Sequence, residues 1–326
     1  MHQISFMTIL MQSHDSNVKA ARETLNDLVG SFGFYPENSL IIRWIKRGKV
    51  VLTQRCDVAA FVSPEGLSQS DVEIYLEPGQ TYFAEEAVIV ICLDNVNPRV
   101  HEVIEVVGSG MAHANITLVD AFIVVGQHII SSGCGGDCQP HVALTDTGVS
   151  RLDREKQCAS NPALLIDANE FPQLPKPESL NAWRATESLF VQDRLSRAGG
   201  PLALGEIVRL TVAMGDIRVR DSILWDMANG VFDRRLVASL LTDLLPKLDA
   251  KHGASIATCA AVCWWLNGNG AMANLCVNRA VNDLPGYSLA IMVRTALEHA
   301  LPPSFWLESI NELTRDQCLS GLEVAP

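Results

Sequence analysis

The sequence holds 326 residues, 48% of them hydrophobic and 19% charged, with a mean hydropathy of +0.16. That much apolar side chain offsets the entropy of ordering and excludes a disordered chain, and the length predicts two domains at roughly 100–200 residues each. A net charge of −12 and a pI near 5.1 argue against a general nucleic-acid or anionic-membrane surface.

The first half predicts a mixed α/β domain. Val18 to Phe32 has helical spacing and stops near Gly30 and Gly33. Ser39–Ile45 and Lys49–Arg55 are β-rich runs joined by Lys46-Arg47-Gly48, a hairpin with glycine at its turn. Residues 1–150 carry 8 Lys and Arg against 17 Asp and Glu, and no basic residue stands between Arg55 and Arg99. The acidic 56–98 stretch, irregular over 58–85, reads as a solvated loop region. Its rival reading is a docking face for a basic partner or a cation site, the latter weakened because no calcium-loop pattern of aspartates and glycine is present. Ala87–Leu93 is a continuous apolar run suited to the centre of a sheet. A helix over Asn97–Ala114 follows, then Ile116–Val125 and His128–Ser131 as a second hairpin-like pair. The order α-β-β-β-α-β-β implies a mixed sheet, and no dinucleotide or phosphate-loop glycine motif occurs.

Residues 158–180 contain four prolines and little periodicity, which marks a linker with a break near residue 175. The predicted domains are therefore 1–157 and 181–326. The second is helical throughout. Val237, Leu240, Leu241, Leu244, Leu245 and Leu248 form one apolar stripe, interrupted by Pro246. Ala261, Trp264, Ala273, Val277, Ala280 and Pro285 stand near the positions of a tetratricopeptide unit, so the helical-hairpin domain reads as tetratricopeptide-like in part.

Several blocks together resemble an actinobacterial family catalogued as a domain of unknown function, number 4192. They are Gly33-Phe-Tyr-Pro-Glu-Asn-Ser-Leu40, Gly48–Asp57, Val119-Asp120-Ala121, Val219-Arg220-Asp221, Gly270-Ala-Met-Ala273, Pro285–Ala290 and Leu301-Pro302-Pro303. The resemblance implies an actinobacterial or actinophage origin and a shared architecture, and it implies no activity.

Three places could carry chemistry. Cys134, Cys138 and His141 could supply three zinc ligands, with Cys158 as a fourth; the rivals are a redox pair and a plain hairpin tip, and no cofactor is expected. Glu37, Asn38 and Ser39 lie in a helix-to-strand loop that serves the turn or presents polar groups to a ligand. Arg218, Arg220 and Asp221 stand near a helix start with Asp216 as N-cap; they form a structural pair or bind phosphate or carboxylate. No nucleophile elbow or zinc-protease motif is present. The adjacent Trp264 and Trp265 read as core.

The N-terminus shows no basic leader, no apolar run reaches about 18 residues, and nine cysteines fall partly in apolar runs, so a cytoplasmic protein is expected. The expected function is a non-catalytic interaction or adaptor protein acting through its helical domain or its acidic face. Its partners are protein, with nucleic acid and membrane disfavoured and a homo-oligomer allowed. The alternative is an enzyme or small-ligand binder with a site at the interdomain cleft.

Overall fold

A computed structural model describes residues 22–62, 69–126, 128–131 and 149–320. The chain divides into two compact units, Met1–Arg151 and Leu152–Pro326. The acidic 56–98 stretch is not a loop region: besides the end of one strand it holds a helix over Gln69–Thr81 and a whole strand over Glu86–Leu93.

The first unit opens with helix α1 over 22–32, which runs through Gly30 and ends at Gly33, whose φ of 73° and N–H to the Val29 carbonyl form the stop. Strands β1 (Ser39–Lys46) and β2 (Lys49–Asp57) pair antiparallel across Arg47-Gly48. Both turn residues have positive φ, 51° and 70°, the mirror-image turn whose twist suits a hairpin. Helix α2 (Gln69–Thr81) precedes β3 (Glu86–Leu93), and α3 (Val100–His113) precedes β4 (Thr117–Val125) and β5 (His128–Ser131). The sheet order is β2-β1-β3-β4-β5, with β3 and β4 parallel and every other pair antiparallel. The apolar β3 run does occupy the middle.

Alternation along β1 shows why its sequence is almost wholly apolar. Leu40, Ile42 and Trp44 enter a core shared with Val72 and Leu76 of α2 and Val103, Val107 and Met111 of α3. On the opposite face Ile41 is also buried, and Arg43 reaches Asp27 of α1 at 3.5 Å. Helix α2 packs because Val72 and Leu76 stand four apart. It meets α3 at Gly110, where a Cβ would lie 2.6 Å from Val72 Cγ1 and 2.9 Å from Leu76 Cδ1.

The second unit is built of helices. After α4 (Arg151–Cys158), the proline-rich stretch is pinned by backbone bonds: Asn161 donates to Pro246 at 2.9 Å and Ile166 to Lys247 at 3.0 Å. Then come α5 (Pro177–Ser196), α6 (Leu204–Gly215), α7 (Ile217–Ala228) and α8 (Arg234–Leu244). Pro246 ends the α8 stripe in a tight turn, Leu245–Lys247. Helices α9 (Ala250–Leu266) and α10 (Gly270–Asp283) form a hairpin over Asn267–Asn269, followed by α11 (Ser288–Glu298), α12 (Pro303–Ile310) and α13 (Arg315–Ser320). The hairpin is present; tetratricopeptide likeness is not established by a single pair.

Buried ion pairs tie these helices together. Arg279 of α10 is 8% exposed and donates from Nε to Asp283 at 2.6 Å, from Nη1 to the Cys158 carbonyl at 2.8 Å, and from Nη2 to Ser160 Oγ at 2.7 Å and the Leu248 carbonyl at 3.0 Å. Arg315 of α13 donates to both Asp226 oxygens at 2.9 and 3.0 Å and to Ser188 at 2.8 Å. Burial raises the Asp226 carboxyl above its ordinary range, against the pull of Arg315. Among the described residues no helix is long and apolar enough to cross a membrane.

Candidate functional site

Two groups of polar residues singled out in the sequence fall in different units, so each has its own setting. In the first unit, the parallel β3–β4 pair brings Leu93 and Val125 to one edge of the sheet, and antiparallel pairing sets Ser39 opposite Cys92 and Asp57. The loop over 33–39 closes on that edge. Asn38, at a φ of 45°, donates from Nδ2 to the Asp94 carboxylate and accepts the Asp94 N–H at 3.2 Å. Asparagine tolerates that left-handed backbone better than most residues. Ser39 is fully buried and donates to the Glu37 carbonyl at 2.7 Å, and the Tyr35 hydroxyl donates to the Gly126 carbonyl at 3.0 Å. Burial raises the Tyr35 phenol far above its ordinary value and the Cys92 thiol to about 12, so both stay protonated at neutral pH. The Asn38 and Ser39 side chains are thus engaged in holding the loop, while Glu37 is half-buried.

In the second unit, Arg218, Arg220 and Asp221 line a cavity of about 700 Å³. Asp216 caps α7, accepting the N–H groups of Arg218 at 3.0 Å and Val219 at 3.2 Å, and is itself held by Arg184. That cap aims the first turn of α7 at the cavity. Leu224 of α7, Leu289 and Val293 of α11, and Leu313 beyond α12 supply aliphatic wall. Trp265 and Trp306 supply aromatic wall, packed edge to face with centroids 6.3 Å apart. The Trp265 indole donates to the Leu301 carbonyl at 3.1 Å, whereas Trp306 Nε1 is buried with no acceptor. The adjacent tryptophans are core, as their sequence setting predicts: Trp265 is 4% exposed with Trp264 packed beside it, and Trp265 also borders this space.

The three charged groups differ in how far they are occupied. Arg220 donates from Nε and Nη2 to Asp221 at 2.9 and 2.7 Å and from Nη1 to the Tyr287 hydroxyl. Its guanidinium also lies over the Tyr287 ring, 5.5 Å from the centroid. Burial works against the charge on this guanidinium, but the Tyr287 hydroxyl and the Asp221 carboxylate beside it outweigh burial and raise it above its ordinary value. Burial likewise pushes the Cys318 thiol, on the same wall, upward. The Arg218 guanidinium makes no ion pair or hydrogen bond among the described residues.

Cys134, Cys138 and His141 lie outside the described residues; among those described, no cluster of His, Cys, Asp or Glu could hold a metal. Cys158, considered as a fourth ligand, is buried with its sulfur 4.0 Å from Cys276. The sequence motif Arg218-x-Arg220-Asp221 found the charged corner of the cavity. The apolar wall escaped it, because each contributing residue reads as an ordinary helix stripe.

No curated protein and no solved structure matches the chain. The Val219–Asp221, Gly270–Ala273, Pro285–Ala290 and Leu301–Pro303 blocks all fall within 166–304, whereas the Gly33–Leu40, Gly48–Asp57 and Val119–Ala121 blocks fall outside it. Residues 166–304, and with them the entrance of α7 into the cavity, match the family model described as Domain of unknown function (DUF4192), the family that the sequence blocks resemble.

Proposed function

We propose that the protein is a binding protein whose helical unit takes up a small, largely apolar ligand in the cavity among α7, α11, α12 and α13. The observation that carries this reading is the cavity itself. Its volume of about 700 Å³ falls within the roughly 300–1,000 Å³ of small-molecule sites, and apolar walls with a few polar groups at one place are their common form. An adaptor would fill this space with a segment of another protein; the volume favours a small molecule. Binding is favoured over turnover because Asp221 is engaged by Arg220 and burial raises the Cys318 thiol, so neither offers an activated base or nucleophile.

The test is titration of the whole protein with N-phenylnaphthylamine, a neutral dye that brightens in apolar surroundings. Saturable uptake near one dye per chain is expected. Thr295→Trp, which adds an indole at an exposed position lining the cavity from α11, should weaken it strongly at unchanged circular dichroism. Met292→Glu at the exposed rim should weaken it without touching the core. Absence of saturable uptake, or uptake indifferent to both variants, refutes the reading.

A further inference from the structure

We infer that the ligand is an anion, a carboxylate on an apolar body, whose head group is met by Arg218; this rests on the cavity being the ligand site proposed above. One charge in the cavity is left unbalanced. Two cations and one anion line the cavity, and Arg220 and Asp221 cancel each other in a pair that Tyr287 completes. What remains is one positive charge, on Arg218, with five N–H donors and no acceptor among the described residues. That unpaired charge makes the matching head group an anion.

The choice of carboxylate follows from what else is absent from this corner. A dianionic phosphate is commonly met by clustered cations or by a free helix N-terminus. Here Asp216 already occupies the N-terminus of α7, and the other arginine is committed to its own aspartate. The N-terminus of α11 at Ser288, which no side chain caps, therefore stands beside one free guanidinium rather than a cluster of cations. A single planar guanidinium matches a planar monoanion. The rest of the ligand is apolar, because much of the lining is Leu224, Leu289, Val293 and Leu313 with the two indoles.

Decanoate and decan-1-ol, which share a body and differ in the head, separate this inference from the reading beneath it. Titration calorimetry on the whole protein should show both bound. Arg218→Gln should lower the acid-to-alcohol affinity ratio about tenfold while leaving decan-1-ol within about twofold, the loss of one charge-assisted contact. Arg218→Lys should recover part of the ratio. If Arg218→Gln leaves the ratio unchanged, or decyltrimethylammonium binds better than decanoate, the anion is refuted and the cavity reading stands. Binding of neither acid nor alcohol overturns both. So does a dimer that Met292→Glu dissociates, which would give the rim to a second copy of the chain.

Discussion

Arg279 offers the sharpest test of how the helical unit holds together. Arg279→Met keeps most of the stem volume and deletes every donor. Asp283, whose side chain is only 11% exposed, would lose its 2.6 Å partner, and burial already raises that carboxyl above its ordinary range with the arginine in place. Removing one member of a buried ion pair costs about 3–5 kcal/mol, because the survivor is left uncompensated. The Cys158 and Leu248 carbonyls also lose their guanidinium donors, so about 4 kcal/mol is a fair central figure for a site that water reaches in part. At roughly 2–4 °C per kcal/mol for a unit of this size, the melting midpoint should fall by about 8–16 °C. Five of the six tryptophans lie beyond residue 151, so their fluorescence during urea unfolding reports on this unit. Arg279→Met with Asp283→Leu should recover much of the loss. A loss below about 1 kcal/mol, or a double variant as unstable as the sum of the singles, would refute the clamp.

Two further outcomes concern the first unit. Gly110→Ala should destabilise by about 1–3 kcal/mol in urea unfolding followed by Trp44 fluorescence in a background whose other tryptophans are phenylalanine. A mid-helix glycine ordinarily gains from alanine, so a stabilised variant would show that α2 does not press on α3 at Val72. Asp120 has its carboxyl raised by burial, despite a bond from the Ala121 N–H at 2.8 Å. The folded state therefore favours the proton, and the Asp120 contribution is present below the ordinary carboxyl value of 3.8 and lost as pH rises through the raised one. Asp120→Asn should melt higher than the parent at pH 7 and equal to it near pH 3; a lower melting point at pH 7 counts against the assignment.

How much of this was legible in the sequence depended on whether a signal was local. Arg47-Gly48 declares its turn, Pro246 the end of a helix, Asp216 a cap, and the unbroken apolar β3 its central place. Each needs only a few neighbouring residues. Helix α2 was hidden because acid dominates it, with Val72 and Leu76 as its buried contacts and Pro78 inside its last turn. Its helicity comes from the sheet and α3 that receive those two side chains, and such tertiary support leaves little periodic trace. The candidate site divides the same way. Arg218, Arg220 and Asp221 stand within four residues and could be read as a recognition motif, but the wall opposite them is gathered from Trp265 to Cys318. Only packing brings those residues around one space.

The strand order also sets a timetable for folding. Strand β1 meets β2 across a two-residue turn, but its other neighbour, β3, arrives roughly 40 residues later, and β4 must wait for α3. In the helical unit the α9–α10 hairpin closes over three residues. Local closure is fast and distant strand pairing slow, so a refolding chain should gain helix signal in an early phase and complete its sheet in a later one. During that interval the apolar edge of β1 is bare, and this is when the chain is most exposed to pairing with a neighbour instead of with its own β3.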